Sequence, residues 1–216
     1  MKRVIALIIS IAMVASLATG LAVTGFAETT PDGDYTYTDN GDGTATITKY
    51  NGAGGDITIP TTVTNGTIYT VTNIGNRAFE SCNSLTNITI PGSVKTIGDN
   101  AFNGCTSLTS VTIPEGVTGI GKGAFKGCTG LTSVIIGNNV TSIGDSAFDG
   151  CTGLTSVIIG NNVTSIGNYA FQGCTGLTSI TITDKITSIG TNVFRDCTGL
   201  TSVIIGNNVT SIGSYA

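Results

Sequence analysis

Short runs of apolar residues, separated by Thr and Ser, recur along most of the chain. The run Leu108–Ile113 places apolar residues at its first, fourth and sixth positions, with Thr or Ser between them. This pattern predicts a β-strand with one buried face. A turn and a second extended segment, Val117–Gly121, follow, and Gly121 is expected to adopt a positive φ at the corner. Gly123–Cys128 is too short for an independent helix, so we expect a single helical or 3₁₀ turn there.

This unit returns every 23 residues. Cys128–Gly150 reappears as Cys151–Gly173 with three substitutions, and Cys197–Gly213 repeats Cys128–Gly144 without a change. Cysteine and phenylalanine keep the same step, at Cys82, Cys105, Cys128, Cys151, Cys174 and Cys197 and at Phe79, Phe102, Phe125, Phe148, Phe171 and Phe194. A fixed period of this size predicts a solenoid, in which each coil buries its apolar side only against its neighbours.

Before the repeats, two alternating runs flank an Asp-Asn-Gly-Asp-Gly turn at residues 39–43. This arrangement predicts a β-hairpin, which we expect to cap the first coil because an open solenoid end exposes apolar surface. A calcium loop is the alternative for the acidic residues there, but their spacing does not fit the EF-hand template; these residues are Asp32, Asp34, Asp39 and Asp42.

The first coil differs in length from the later ones. It carries eight extra residues around Thr61–Ile68, which we interpret as a loop or a β-arm near Asn65-Gly66.

The amino-terminal segment has the features of an export signal. Lys2 and Arg3 precede an uncharged run over residues 4–23, and the small residues Gly25 and Ala27 fit a cleavage site. A retained membrane anchor is the alternative, because about twenty apolar residues can span a bilayer. No later run is apolar enough to cross a membrane. The predicted domains are a signal peptide over 1–27, a β-hairpin cap over 28–56 and a solenoid over 57–216 whose last repeat is incomplete.

Composition and charge argue against several functional classes. The net charge is −4, only 10% of residues are charged, and the chain has no histidine. Without basic clusters, no nucleic-acid partner is expected. Without histidine, a Ser-His-Asp or Cys-His arrangement is impossible. The acidic pair Asp145 and Asp149 lies in a turn that varies between otherwise identical coils, so we expect no enzymatic activity and no cofactor.

The six cysteines occupy the same position in successive coils and should form one stacked row. Neighbouring coils lie about 4.8 Å apart, within the reach of a disulfide, but parallel Cβ vectors make the required dihedral hard to reach. We therefore favour buried free thiols acting as small hydrophobic groups, with occasional bridging as the alternative. A metal site is disfavoured, because the chain offers neither histidine nor a C-x-x-C pair.

The repeat unit resembles the BspA-type (treponemal) class of leucine-rich repeat. The resemblance rests on Leu131-x-x-Val134-x-Ile136 and on Ile143-Gly144-x-x-Ala147-Phe148-x-x-Cys151, and it extends from about Ile57 to the end of the chain. One unit departs, with Val193 in place of Ala. The resemblance implies a right-handed solenoid with a β-lined concave side, on secreted or surface proteins of bacteria and some protists. It also implies adhesion or partner binding.

If the apolar strand residues point inward, the residues between them form two outward rows. The candidate binding residues in these rows are Ser110, Thr112, Ser133, Ile135, Ser156, Ile158, Ser179, Thr181, Ser202 and Ile204. Small hydroxyls beside exposed isoleucines could dock an extended protein or a glycan. The alternative is that Ser and Thr simply suit a strand surface.

Three functional hypotheses follow from these features. The first is a secreted or cell-surface module, bacterial in origin, that binds an extracellular protein or glycan through its β-face. The second is a spacer that binds nothing. The third is a fragment of a larger surface protein, because the chain stops at Ala216, just before the expected Phe.

Overall fold

The computed structural model describes residues 27–29 and 33–216. This part of the chain consists of strands and turns and contains no helix. The first strands are β1 (Ala27–Thr29), β2 (Tyr35–Asp39), β3 (Thr44–Tyr50), β4 (Gly55–Thr58), β5 (Thr62–Thr64) and β6 (Ile68–Ile74). In each later coil a longer strand is followed by a two-residue strand. In order these are β7 (Leu85–Thr89), β8 (Thr96–Ile97), β9 (Ser110–Ile113), β10 (Gly119–Ile120), β11 (Ser133–Ile136), β12 (Ser142–Ile143), β13 (Ser156–Ile158), β14 (Ser165–Ile166), β15 (Ser179–Ile182), β16 (Ser188–Ile189), β17 (Ser202–Ile205) and β18 (Ser211–Ile212).

The signal peptide predicted over 1–27 lies outside the described residues, except that the backbone of Ala27 begins β1 and pairs with Thr38.

Each repeat strand lies parallel to the same strand of the neighbouring coils. The described two-residue strands join the amino-terminal strands in one 11-stranded sheet, ordered β1-β2-β3-β6-β8-β10-β12-β14-β16-β18, with β5 attached to β6. The longer strands form a 5-stranded sheet, ordered β13-β11-β9-β7-β4, and a separate 2-stranded sheet of β15 and β17. Ser133 pairs with Ser110 on one side and Ser156 on the other, so the register steps by one repeat. This confirms the predicted solenoid of 23-residue coils.

The core is built from columns of identical residues. From Phe79 to Phe194 the phenylalanine rings stack in sequence, with centroids 4.8 to 5.9 Å apart and interplanar angles of 3 to 19°. Leu131, Val140 and Ala147, which represent three further columns, are fully buried. Because every coil repeats these positions, each core side chain packs against its own equivalent above and below.

The β2–β3 hairpin closes the amino-terminal end of this core, as predicted. Strand β3 pairs with β6 in parallel, which brings Ala45 opposite Val71 and Ile47 opposite Ile74. The ring of Tyr50 stacks on Phe79 at 5.2 Å, so the hairpin also ends the aromatic column.

The eight extra residues of the first coil form a short β-arm. Strand β5 pairs with β6 in antiparallel fashion, and Asn65-Gly66 makes the turn, where Gly66 has a φ of 115°. At its tip Ile68 is 72% exposed.

The segment Gly123–Cys128 is a series of turns and not the helical turn that we expected. The amide of Ala124 donates to the carbonyl of Gly121, three residues back, but the next amide, of Phe125, donates to Ala147 in the following coil. The same alternation continues along the segment. Half of the amides therefore bond between coils, and a 3₁₀ helix would forfeit those bonds.

The expectation of a positive φ at Gly121 is also wrong. Positive φ occurs two and six residues later, at Gly123 (61°) and Gly127 (69°). The corner glycines are required for a different reason, which is the close approach of stacked backbones. A Cβ added to Gly121 would lie 2.6 Å from the carbonyl carbon of Gly98, the equivalent residue of the preceding coil.

Candidate functional site

The outward side chains of the six longer repeat strands, β7, β9, β11, β13, β15 and β17, form what we call the strand face. In β11, Val134 and Ile136 are buried while Ile135 between them is 46% exposed. Of the ten candidate binding residues, Ser133 is partly buried and the other nine are exposed. The exposed ones are Ser110, Thr112, Ile135, Ser156, Ile158, Ser179, Thr181, Ser202 and Ile204.

Strand pairing brings these residues into two separate groups. Ser110, Ser133 and Ser156 lie side by side in β9, β11 and β13, and Ile135 lies directly beside Ile158. Likewise, β15 and β17 place Ser179 beside Ser202 and Thr181 beside Ile204. The two groups belong to different sheets, because β13 and β15 do not pair.

Hydrogen bonding distinguishes the hydroxyls of the strand face from those of the threonines that precede its strands. In one row, Thr109, Thr132, Thr155 and Thr201 each donate Oγ1 to the backbone carbonyl of the preceding coil at 3.0 to 3.1 Å. In the predicted row, within the described part of the chain, the hydroxyls of Ser133, Ser156, Ser179 and Ser202 make no hydrogen bond to protein. The threonine row therefore stabilises the stack, and the serine row remains available to a ligand.

A polar cluster that sequence reasoning missed closes one end of the strand face. Asp56 in β4 accepts hydrogen bonds from Thr86 Oγ1 at 2.5 Å and from Asn87 Nδ2 at 3.0 Å. These bonds, that of Thr86 foremost, hold the pKa of the Asp56 carboxyl below its ordinary value. The replacement of Ser by Asn at position 87 was the available signal, but the contact with Asp56 depends on how the irregular first coil docks.

Beside this cluster, β7 and β9 separate after their single registered pair, Asn87 with Ser110. The separation leaves a cleft of about 420 Å³, lined by Asn87, Ile88, Thr89, Ile90, Ser110, Thr112 and Pro114.

The strand face is uncharged. The six longer repeat strands contain no charged residue, and Asp56 of β4 is the acidic residue at the edge of their sheet. The face therefore presents hydroxyls and apolar side chains and no charge. Ile135, Ile158 and Ile204 supply the apolar part, with exposures of 46, 57 and 62%.

The cysteines lie away from the strand face. Five of the six are buried, Cys82 is half-buried, and all are free thiols. The Sγ of Cys128 donates to the carbonyl of Phe102 at 3.1 Å, and each cysteine from Cys105 to Cys197 makes the equivalent bond at 3.0 to 3.2 Å. Burial raises the pKa of Cys128 to about 12. These thiols therefore act as small apolar side chains that also satisfy a buried carbonyl.

The acidic residues considered for catalysis have structural contacts. Asp145 Oδ1 accepts the backbone amide of Asn168 at 2.7 Å, and Asp149 forms an ion pair with Lys126 at 2.9 Å. Both contacts join neighbouring coils.

In the hairpin, the carboxylates considered for calcium hold the turn. Asp39 accepts the amide of Gly41 at 2.7 Å, and Asp42 accepts the amide of Thr44 at 3.0 Å. Asp32 lies outside the described residues. Within them, no group of three potential metal ligands is found, and no helix is long and apolar enough to cross a membrane.

The chain is similar to a family and to solved structures. A family model described as "BspA type Leucine rich repeat region" matches residues 56–176 and 118–216, in six copies. A leucine rich cell surface protein from Faecalibacterium prausnitzii A2-165 shares 40% identity, with a TM-score of 0.63, over 86% of this chain and 55% of that one. The leucine rich repeat protein of T. pallidum shares 30% identity, with a TM-score of 0.73, over 87% of this chain and 82% of that one.

This chain thus spans about half the length of the F. prausnitzii protein. A search of the curated proteins finds no match.

Proposed function

The chain belongs to the BspA-type leucine-rich repeat family, and on that basis we propose that it is a secreted or surface-exposed module that binds an extracellular protein or glycan through its strand face. It is a repeat protein of the cell-surface type, in a family and fold that are typically non-catalytic. We assign it no reaction.

The observation that carries the proposal is the serine row. Within each sheet its serines lie at the strand spacing of about 4.8 Å. The hydroxyls of Ser133, Ser156, Ser179 and Ser202 have no protein partner in the described structure, whereas Ser110 Oγ donates to Asn87 Oδ1 at 3.5 Å. The threonine row beside it uses the same functional group for internal bonds. An extended chain or a linear glycan lying across the strands would meet one free hydroxyl in each coil from that of β11 to that of β17.

The isoleucines add apolar contact beside these hydroxyls. Fully burying an isoleucine is worth roughly 1.5 to 3 kcal/mol, and Ile135 and Ile158 are each about half exposed. Together they can contribute about 2 kcal/mol. The face has no aromatic or arginine anchor of the kind that dominates tight interfaces. Binding should therefore be weak per coil and depend on several coils acting together.

The test is a binding screen of purified residues 28–216 against extracellular matrix proteins and glycans. On any hit, the double variant Ile135→Lys/Ile158→Lys should weaken binding at least tenfold, because it places two charges in an uncharged face. The matched control is Thr129→Lys/Thr152→Lys, which adds the same charges to exposed positions of the same two coils outside the strand face. Equal loss in both variants would count against the strand face.

A non-binding spacer is the second candidate, and the continuous 11-stranded sheet favours it. A sheet that links every coil holds the coils in one continuous stack, which suits a protein that holds another domain away from a surface. If no matrix protein or glycan in the screen retains the module, the spacer becomes the better account.

A further inference from the structure

The two sides of the solenoid differ at the junction between the coils of β13 and β15. On one side β14 pairs with β16 in register, and the 11-stranded sheet continues. On the strand face, β13 and β15 do not pair, and the sheet is divided there. The break is therefore one-sided.

Thr183 is the residue that distinguishes this junction. The equivalent position is glycine in the coils of β11, β13 and β17, as Gly137, Gly160 and Gly206. A Cβ on Gly137 would lie 2.7 Å from the carbonyl oxygen of Ile113, and one on Gly206 would lie 2.7 Å from that of Thr183. A Cβ on Gly160 would collide with the carbonyl oxygen of Gly137. Regular stacking leaves no room for a side chain here, so the corner at Thr183 cannot stack as closely on the preceding coil, although the amide of Gly176 still donates to Thr152 at 3.0 Å.

Backbone bonds at the junction show the effect. The amides of Thr132 and Thr155 donate to the preceding coil at 2.8 and 2.9 Å, and Thr201 donates to Thr178 at 3.0 Å. Among the described residues, Thr178 alone in this row from Thr109 onward lacks such a bond to its predecessor. On the continuous side, the bond from Thr187 to Thr164 is present but long, at 3.3 Å.

Side chains at the junction agree with this account. Val157 in β13 is half-buried, whereas its equivalents Val111 and Val134 are fully buried. Thr183 Oγ1 is itself buried without a hydrogen-bond partner. An unsatisfied buried hydroxyl lowers the stability of the packing at this junction.

The other junctions follow the same rule where the first irregular coil is not involved. Where the second coil of a pair has glycine at this position, the strands pair over three or four residues. The number is four for β9–β11, three for β11–β13 and four for β15–β17. The β7–β9 pair, where Pro114 follows Pro91, shares one. One corner residue thus controls how far a strand pairs with the coil before it.

We propose that the junction between β13 and β15 is a hinge, at which the strand face stays unpaired and bends about the intact β14–β16 pairing. The hinge divides the strand face into a segment from β4 to β13 and a segment of β15 and β17. Relative motion of the two segments changes the distance between Ile158 and Thr181, and so the length of any ligand that spans both. The hinge does not depend on what the strand face binds.

Hydrogen exchange at single amides tests the proposal. The amide of Thr178 should exchange at least tenfold faster than those of Thr132 and Thr155, which occupy the same place in closed coils. Thr183→Gly restores the residue found in three other coils, and it should slow exchange at Thr178 by tenfold or more. Thr183→Ala keeps the Cβ and removes the unpaired hydroxyl, so exchange at Thr178 should stay fast.

Three results would overturn the hinge or its cause. One is exchange at Thr178 as slow as at Thr132 in the unmodified protein, and another is unchanged exchange at Thr178 in Thr183→Gly. The third is slow exchange in Thr183→Ala, which would assign the opening to the hydroxyl and not to the Cβ. As a converse check, Gly160→Thr should speed exchange at Thr155 while Thr132 stays protected.

Discussion

Two kinds of glycine recur along the coils, and they are constrained by different physics. Gly144 has an ordinary φ but faces the backbone of the preceding coil, where an added Cβ would lie 2.7 Å from the carbonyl carbon of Gly121. Gly150 has a φ of 72°, and the nearest atom to an added Cβ is 3.9 Å away. Ser81 and Asp196 occupy the position equivalent to Gly150 with a φ of 60°. Space forbids a side chain at the first glycine, and conformation only disfavours one at the second.

Alanine substitutions should separate these two constraints. Gly150→Ala should lower the free energy of unfolding by about 1 kcal/mol, the cost of a left-handed residue. Gly144→Ala should cost about 3 kcal/mol or more, because the backbone that it meets cannot yield without displacing a whole coil. Urea unfolding followed by circular dichroism measures both. Equal costs would show that steric exclusion between coils is not the dominant constraint.

The buried thiols should make stability fall at high pH. Burial raises the pKa of Cys128 from 9.0 to about 12, so in the folded protein the thiol stays protonated where the unfolded chain ionises. The stabilisation is complete below pH 9 and is lost as the pH rises from about 9 to about 12. Over that window one such thiol lowers the free energy of unfolding by about 1.4 kcal/mol per pH unit.

The measurement is urea unfolding at several pH values for the unmodified protein and for Cys128→Ala. The difference between the two proteins isolates this thiol from tyrosine and lysine, which titrate in the same range. The variant should show the shallower decline. Parallel declines would contradict the assignment.

At the scale of strands and turns, much of the architecture could be predicted because the signal is repeated. Six copies of Phe and Cys at one spacing identify the inward columns, and the Asn-Gly and Asp-Gly turns locate the hairpin and the β-arm. The predicted outward positions followed from the same alternation, and the structure places nine of the ten on the exposed surface and Ser133 partly below it.

What could not be predicted depends on contacts between coils. Whether Gly123–Cys128 forms a helical turn is decided by the carbonyls of the next coil, which accept every second amide. Sequence alone likewise cannot show that the Thr132 hydroxyl donates to the carbonyl of Thr109 while the Ser133 hydroxyl makes no hydrogen bond to protein. The break between β13 and β15 could not be predicted either. Threonine is an ordinary residue in a turn, and only the distance between stacked backbones at Gly160 shows that a side chain does not fit there.

The hairpin cap gives a prediction at this scale. Ile47 in β3 is fully buried against the first coil, and Ile47→Ala should cost about 2 to 5 kcal/mol. Since coils contact only their neighbours, the loss should appear first in the amino-terminal coils. Hydrogen exchange should therefore accelerate at β7 more than at β15. Lys49→Ala, at an exposed position of the same strand, is the control and should change neither.

For the whole molecule, equivalence of the coils predicts tolerance to removing one of them. Deleting residues 128–150, one full period, rejoins Gly127 to Cys151 and leaves every column aligned. The shortened protein should fold cooperatively with a lower urea midpoint, because one interface between coils is lost. Deleting residues 128–149 instead shifts all later columns by one position, so cooperative unfolding should disappear. The pair is compared by urea titration and near-ultraviolet circular dichroism.

The constant step between bonded residues also governs how the chain acquires its fold. In the regular coils, hydrogen bonds between neighbours join residues 22 to 26 apart, as in Phe125 to Ala147, Thr132 to Thr109 and Cys128 to Phe102. Each added coil therefore closes a loop of the same size, at the same entropic cost, however many coils precede it. Relative contact order falls as such a chain grows longer, which favours fast folding. During synthesis the cap emerges first, and each coil can dock once its own 23 residues have followed. The coils can therefore dock one after another, at a rate per coil that is independent of the final number of coils.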